Sequence, residues 1–265
     1  MRKSSPRVLA LVCSLAFANT GLAAPQTSPP TETPQATLQR SLAALVGNTS
    51  LSDITLSGAA RRIAGSDDEA GTAVLKMTSS GGTRLSCSYP SGSIVEVRSV
   101  TADGPIGAWT GVDGKVHPVP FQNLSTDWGL VPAFTISTAL AVQNAVVAVV
   151  GTETREGQSV LHIRTWQQFP GIPSSSALLL QHLSQTDIFL DAASLLPASV
   201  TFNTHPNDDA GKDIPVEIRF SDYRTVHGAQ VPFHVQKFLN NGLVLDLQFQ
   251  SVSLNSGISA AEFSF

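Results

Sequence analysis

Three stretches toward the C-terminal end alternate apolar and polar residues with period two. Ile214, Val216, Ile218 and Phe220 interleave with Glu217, Arg219 and Ser221. Val231, Phe233 and Val235 interleave with His234 and Gln236, and Leu243, Leu245, Leu247 and Phe249 with Asp246, Gln248 and Gln250. Side chains alternate across a strand, so 214–254 reads as an antiparallel meander that must bury one apolar face. His227-Gly228 predicts a two-residue turn, with Phe220 opposite Val235 and Ile218 opposite Lys237. At Asn240-Asn241-Gly242 two registers compete. A two-residue turn at Asn241-Gly242 faces Lys237 with Asp246, an exposed pair worth under ~1 kcal/mol. A three-residue loop with Gly242 left-handed sets Leu239 against Leu243, Val235 against Leu247 and Phe233 against Phe249. Such side chains are worth roughly 1.5–3 kcal/mol each when buried. The second register is therefore expected, and it puts Lys237 on the apolar face with Ile218, Val235 and Leu245.

Upstream, Thr33 as N-cap, Pro34 at the first position and Gly47 beyond the end frame a helix with Leu38, Leu42, Leu45 and Val46 on one face. Strands are expected over 51–59, 72–78, 84–89, 94–100, 107–109, 145–150, 159–166, 187–190 and 198–203, with a hairpin turn at Ser80-Gly81-Gly82. Between Gly65 and Gly71, Asp67-Asp68-Glu69 reads as an exposed turn. The apolar segment 124–142, with Pro132 placed to start a helix, reads as a helix buried on most sides or a helical lid. The run 177–183 fits either helix or strand, and 205–213 is a polar hairpin tip.

At 265 residues and 42% hydrophobic, the chain is sized for one globular domain, expected to be monomeric. A net charge of −4 with no basic patch excludes nucleic acid as a partner. Arg2, Lys3 and Arg7, the apolar core 8–17 and Gly21-Leu22-Ala23 make 1–23 a signal peptide cleaved after Ala23. The product is then periplasmic or secreted, with no transmembrane segment in the mature chain. A Pro/Thr-rich linker follows over 24–33, and 34–265 is the domain. Cys13 falls in the leader, leaving Cys87 as a buried small hydrophobe on the face of Leu85 and Tyr89.

The six histidines, His117, His162, His182, His205, His227 and His234, show no i+2, i+3 or i+4 pairing, so surface or turn roles are expected and no metal or other cofactor. The stretch 207–213 has oxygen ligands around Gly211 but lacks the closing glutamate of a calcium loop. No Gly-x-Ser-x-Gly elbow, Cys/His pair, phosphate loop or dinucleotide fingerprint is present, and no catalytic residue is assigned.

Several short motifs resemble LolA/LolB-type lipoprotein carriers. They are the strand ending Phe189-Leu190-Asp191 with its turn to Leu196-Pro197 and a strand around Val200; Phe220-Ser221-Asp222-Tyr223, His227-Gly228 and Val231-Pro232-Phe233; and Val252-Ser253-Leu254-Asn255 with Glu262-Phe263. The resemblance spans most of the mature chain, although 205–213 and 169–183 match nothing in that pattern. It implies a mainly β (α+β) fold: one antiparallel sheet curved into an incomplete barrel, with helices over the open concave side. It also implies a non-enzymatic binder or carrier of an apolar ligand, such as an acyl chain, lipid or lipoprotein. The alternative is an envelope module that binds a protein partner with the same fold. Candidate cavity-lining residues are Trp109, Phe121, Trp128, Leu130, Phe134, Leu140, Trp166 and Phe189, for which core packing is the competing role. Lys237 is the candidate polar anchor.

Overall fold

The computed structural model describes residues 32–126 and 129–264; the expected leader and its cleavage site lie outside the described residues. Helix α1 (Pro34–Val46) begins as its sequence requires. The Thr33 hydroxyl accepts from the Ala36 N–H, Pro34 occupies the first turn, and Gly47 ends the helix at φ 56°. Six strands follow: β1 (Asp53–Ala64), β2 (Asp67–Thr78), β3 (Thr83–Tyr89), β4 (Gly92–Thr101), β5 (Gly104–Thr110) and β6 (Val116–Pro118). Helix α2 (Pro132–Ala141) starts at the expected proline. Then come β7 (Ala145–Arg155), β8 (Gln158–Gln167), α3 (Ser174–Leu183), β9 (Thr186–Asp191), β10 (Pro197–Thr204), β11 (Ile214–Val226), β12 (Ala229–Leu239) and β13 (Gly242–Leu254). The run 177–183 is thus helical.

The thirteen strands of the described residues form one antiparallel sheet in the order β6-β5-β4-β3-β2-β1-β13-β12-β11-β10-β9-β8-β7. Every neighbouring pair but one is consecutive in the chain. The exception is the β1–β13 seam, where Leu56 faces Val252 and Ala60 faces Leu247. The sheet is not closed, leaving β6 and β7 as edges. Its concave face is a lattice of cross-strand apolar pairs. One row runs Leu245, Lys237, Ile218, Val200, Ile188, Ile163 across six strands. Leu38 and Leu45 of α1 and Phe134 and Ile136 of α2 pack into the same core, so helices cover the concave side. Cys87 is buried there beside Leu85 and Tyr89, and burial pushes its thiol up.

Two turn expectations are corrected. The segment Asp67-Asp68-Glu69 begins β2 rather than forming a turn, because Asp68 pairs with Arg61 at 2.6 Å and Glu69 with Arg62 at 3.7 Å across the hairpin. At the last hairpin the body of the register is as expected, with Val235 facing Leu247 and Lys237 facing Leu245. The loop itself differs. Asn240 (φ 49°) and Asn241 (φ 64°) hold the left-handed positions of a two-residue turn, and Leu239 faces Gly242, not Leu243. Phe238 faces Leu243, so Val244 is the extra residue of a bulge. Asparagine tolerates positive φ, which lets the pair replace glycine in the turn. By contrast, His227 (φ 47°) and Gly228 (φ 91°) form the expected turn, with Phe220 opposite Val235 and Ile218 opposite Lys237.

Candidate functional site

The sheet's curvature brings β4 and β5 to one wall of a cavity whose other wall is β8, β9 and β10. This cavity measures about 540 Å³. Val100 and Ile106 contribute from the first wall, and Ile188 and Val200 from the second. Helix α2 presents Thr135, Thr138 and Ala139, with Val142 just beyond its end, at i, i+3, i+4 and i+7, which is one helical stripe. Helix α3 adds Leu180 and Leu183. The lining is mostly apolar. Among the described residues Arg98 is the only charged side chain in it. Arg98 is 5% exposed, and its Nη1 donates to the Asn123 carbonyl at 3.0 Å. Val100 and Ile106 are exposed, and Phe121 is 65% exposed, so the cavity opens at the β4–β5 hairpin and the 121–126 segment.

Arg98 also lines a small recess beside the cavity, with Glu96, Leu130 and Lys237. Lys237 is half-buried on the concave face between Leu245 and Ile218. A second concavity of about 530 Å³ is lined by Arg155, Glu217, Arg219 and Asp222 among others, and is far more polar. An apolar, partly enclosed cavity with few polar groups is the usual form of a small-molecule site.

The candidate lining residues are dispersed. Phe121 and Trp166 line the large cavity. Phe134 is buried in the core, and Leu140 and Leu130 pack against it. Ile188 points into the cavity, so its neighbour Phe189 points to the opposite face, where Arg155 stacks on its ring at 3.8 Å and His162 at 4.4 Å. Trp109 is 42% exposed on β5 and stacks on His117. Trp128 lies outside the described residues. What the sequence reading missed is Arg98 together with the Thr135, Thr138, Ala139, Val142 stripe. The stripe carried a signal, since small and polar residues recur there at helical spacing between larger ones. The histidine expectation also needs correction: His205 is interior, at 3% exposure, because Asn123 brackets its backbone with bonds to both N–H and C=O at 2.8 Å.

No protein-family model and no curated protein matches the chain. Solved structures do. A putative outer membrane lipoprotein-sorting protein domain from Vibrio parahaemolyticus is 12% identical with a TM-score of 0.54, over 86% of this chain and 95% of that one. A DUF1329 family protein from Desulfovibrio piger is 10% identical with a TM-score of 0.57, over 88% and 98%. A LolA superfamily protein from Nitrosomonas europaea is 11% identical with a TM-score of 0.52, over 89% and 99%. The chain therefore has a LolA-like fold.

Proposed function

We propose, from a LolA-like fold with an apolar cavity beneath its helices, that this protein is a non-enzymatic binder of an acyl-chain ligand in the cell envelope. The observation that carries the reading is the cavity itself: about 540 Å³, walled by Ile188, Val200, Leu183 and Val100, with Arg98 as its charged group. Burying a methylene is worth ~0.8 kcal/mol, so about ten of them supply about 8 kcal/mol toward binding, against which the cost of association is set. The acyl chain occupies the apolar part, and an anionic end turns toward Arg98, with Lys237 in the adjoining recess. The lipoprotein-sorting description of one structural neighbour supports the same reading, and so does the leader expected over 1–23, which would direct the chain to the envelope.

Native mass spectrometry of protein purified from its own envelope is the direct test, and it should show a bound lipid mass. Ala139→Phe fills the cavity from α2 and should lower uptake of a fluorescent fatty acid at least about tenfold, with Tm unchanged within a few degrees. Lys237→Met should weaken retention of the same probe by about tenfold, the loss of one charge-assisted contact. An empty protein that takes up neither fatty acid nor phospholipid would overturn the reading.

A further inference from the structure

Beside the 121–126 segment, whose Asn123 holds the His205 backbone, three ligating side chains meet that are far apart in sequence. His182 lies at the end of α3, His205 just after β10, and Asp213 just before β11. One nitrogen of each ring and a carboxylate oxygen of Asp213 all lie within 4.8 Å of one another. The His182 Nε2 is 2.8 Å from Asp213 Oδ1, and the His205 Nδ1 is 3.6 Å from the same oxygen. The two rings stand edge to face with centroids 5.8 Å apart.

His205 sets this cluster apart from a surface ion pair. Its side chain is 1% exposed, Nδ1 lies 3.2 Å from the Lys212 carbonyl oxygen, and Nε2 has no hydrogen-bond partner among the described residues. A buried polar atom without a partner costs free energy, and a metal ion is a group that takes an imidazole lone pair. Nδ1 is the nitrogen 3.6 Å from Asp213 Oδ1, so ligation through it replaces the Lys212 contact, whereas ligation through Nε2 keeps that contact as the outer bond that orients the ring. His182 and Asp213 are each about 40% exposed, so they can close on an ion and leave a position for water.

We propose that His182, His205 and Asp213 bind a first-row transition metal ion, of which Zn²⁺ is the type, with water completing a four-coordinate shell. Two imidazoles and one carboxylate suit zinc, copper or nickel and not calcium or magnesium. Bound metal ties α3 to the loop between β10 and β11. Because α3 also supplies Leu180 and Leu183, it fixes one wall of the cavity.

The test uses the chain without a polyhistidine tag, stripped with chelator and titrated with Zn²⁺ by calorimetry. One Zn²⁺ per chain is expected, and at about 100 times Kd the Tm should rise by about 5–10 °C, with Ca²⁺ and Mg²⁺ leaving it unchanged. His182→Ala and Asp213→Asn, both at partly exposed positions, should fold and lose more than the roughly 10–100-fold affinity typical of an outer-shell defect. Wild-type protein that binds no Zn²⁺, or variants that bind it as wild type does, would overturn the site and leave a histidine–aspartate ion pair. Either outcome is independent of fatty-acid uptake, so the cavity reading stands or falls separately.

Discussion

Asp191 shows how one carboxylate organises a turn. Its Oδ1 accepts from the Ser194 N–H at 2.7 Å, the Ser194 hydroxyl at 2.8 Å and the Ala193 N–H at 3.2 Å. The two bonds from Ser194, with that from Ala193, hold its carboxyl below the usual range, against an opposing push from burial. The turn then delivers the Leu195 carbonyl to the Ser41 hydroxyl of α1 at 2.7 Å. Asp191→Ala should cost about 2 kcal/mol, measured by urea unfolding at neutral pH. The sign of the pH effect follows from the depressed pKa. The contribution is complete above the unfolded value of about 3.9 and disappears as pH falls through the folded one, so wild type and variant should converge in acid. The turn from Asp191 to Pro197 was legible in the sequence, whereas the part its carboxylate plays, three residues deep, comes from the structure. The last hairpin was only half legible. Apolar pairing determined which residues face each other along its strands, but two adjacent asparagines formed the turn and the bulge at Val244 absorbed the difference.

Elements were legible where their ends carry chemistry. Helix α1 has a hydroxyl cap, a proline and a terminal glycine. Helix α3 starts at Pro173 with no side-chain cap, and its short apolar run carries no period that separates helix from strand. The sheet's irregularities were not legible either. At the bulge in the β1–β13 pairing, Ser57 faces Ser251 and Gly58 faces Phe249, so Gln250 of β13 is the extra residue. A Cβ at Gly58 would stand 2.1 Å from the Gln248 carbonyl oxygen, a backbone atom with little freedom to move. Gly58→Ala should therefore destabilise by about 3 kcal/mol, read from the shift in urea midpoint, whereas Gly65→Ala in the neighbouring turn meets no atom within 4 Å and carries only its own backbone strain.

At the scale of the whole molecule, the site depends on curvature. Arg98 and Ile106 share a cavity with Ile188 and Val200 because a long sheet bends its two ends toward each other under α2 and α3. Local periodicity identifies strands, but says nothing of which distant strand will form the facing wall. That is why the candidate aromatics were largely core or surface, and why Arg98 went unnoticed. The β1–β13 seam has a kinetic consequence. Every other pairing joins strands consecutive in the chain, whereas this one joins the first strand to the last and closes the longest loop among the sheet's pairings. Leu247→Ala, at a fully buried position facing Ala60 across the seam, should lose about 2–5 kcal/mol, mostly as faster unfolding with refolding little changed in stopped-flow experiments. During synthesis, β1 waits for β13, which is made after every other strand of the sheet. The nascent chain therefore remains two unjoined meanders until β13 emerges, a state open enough to be threaded through a narrow channel.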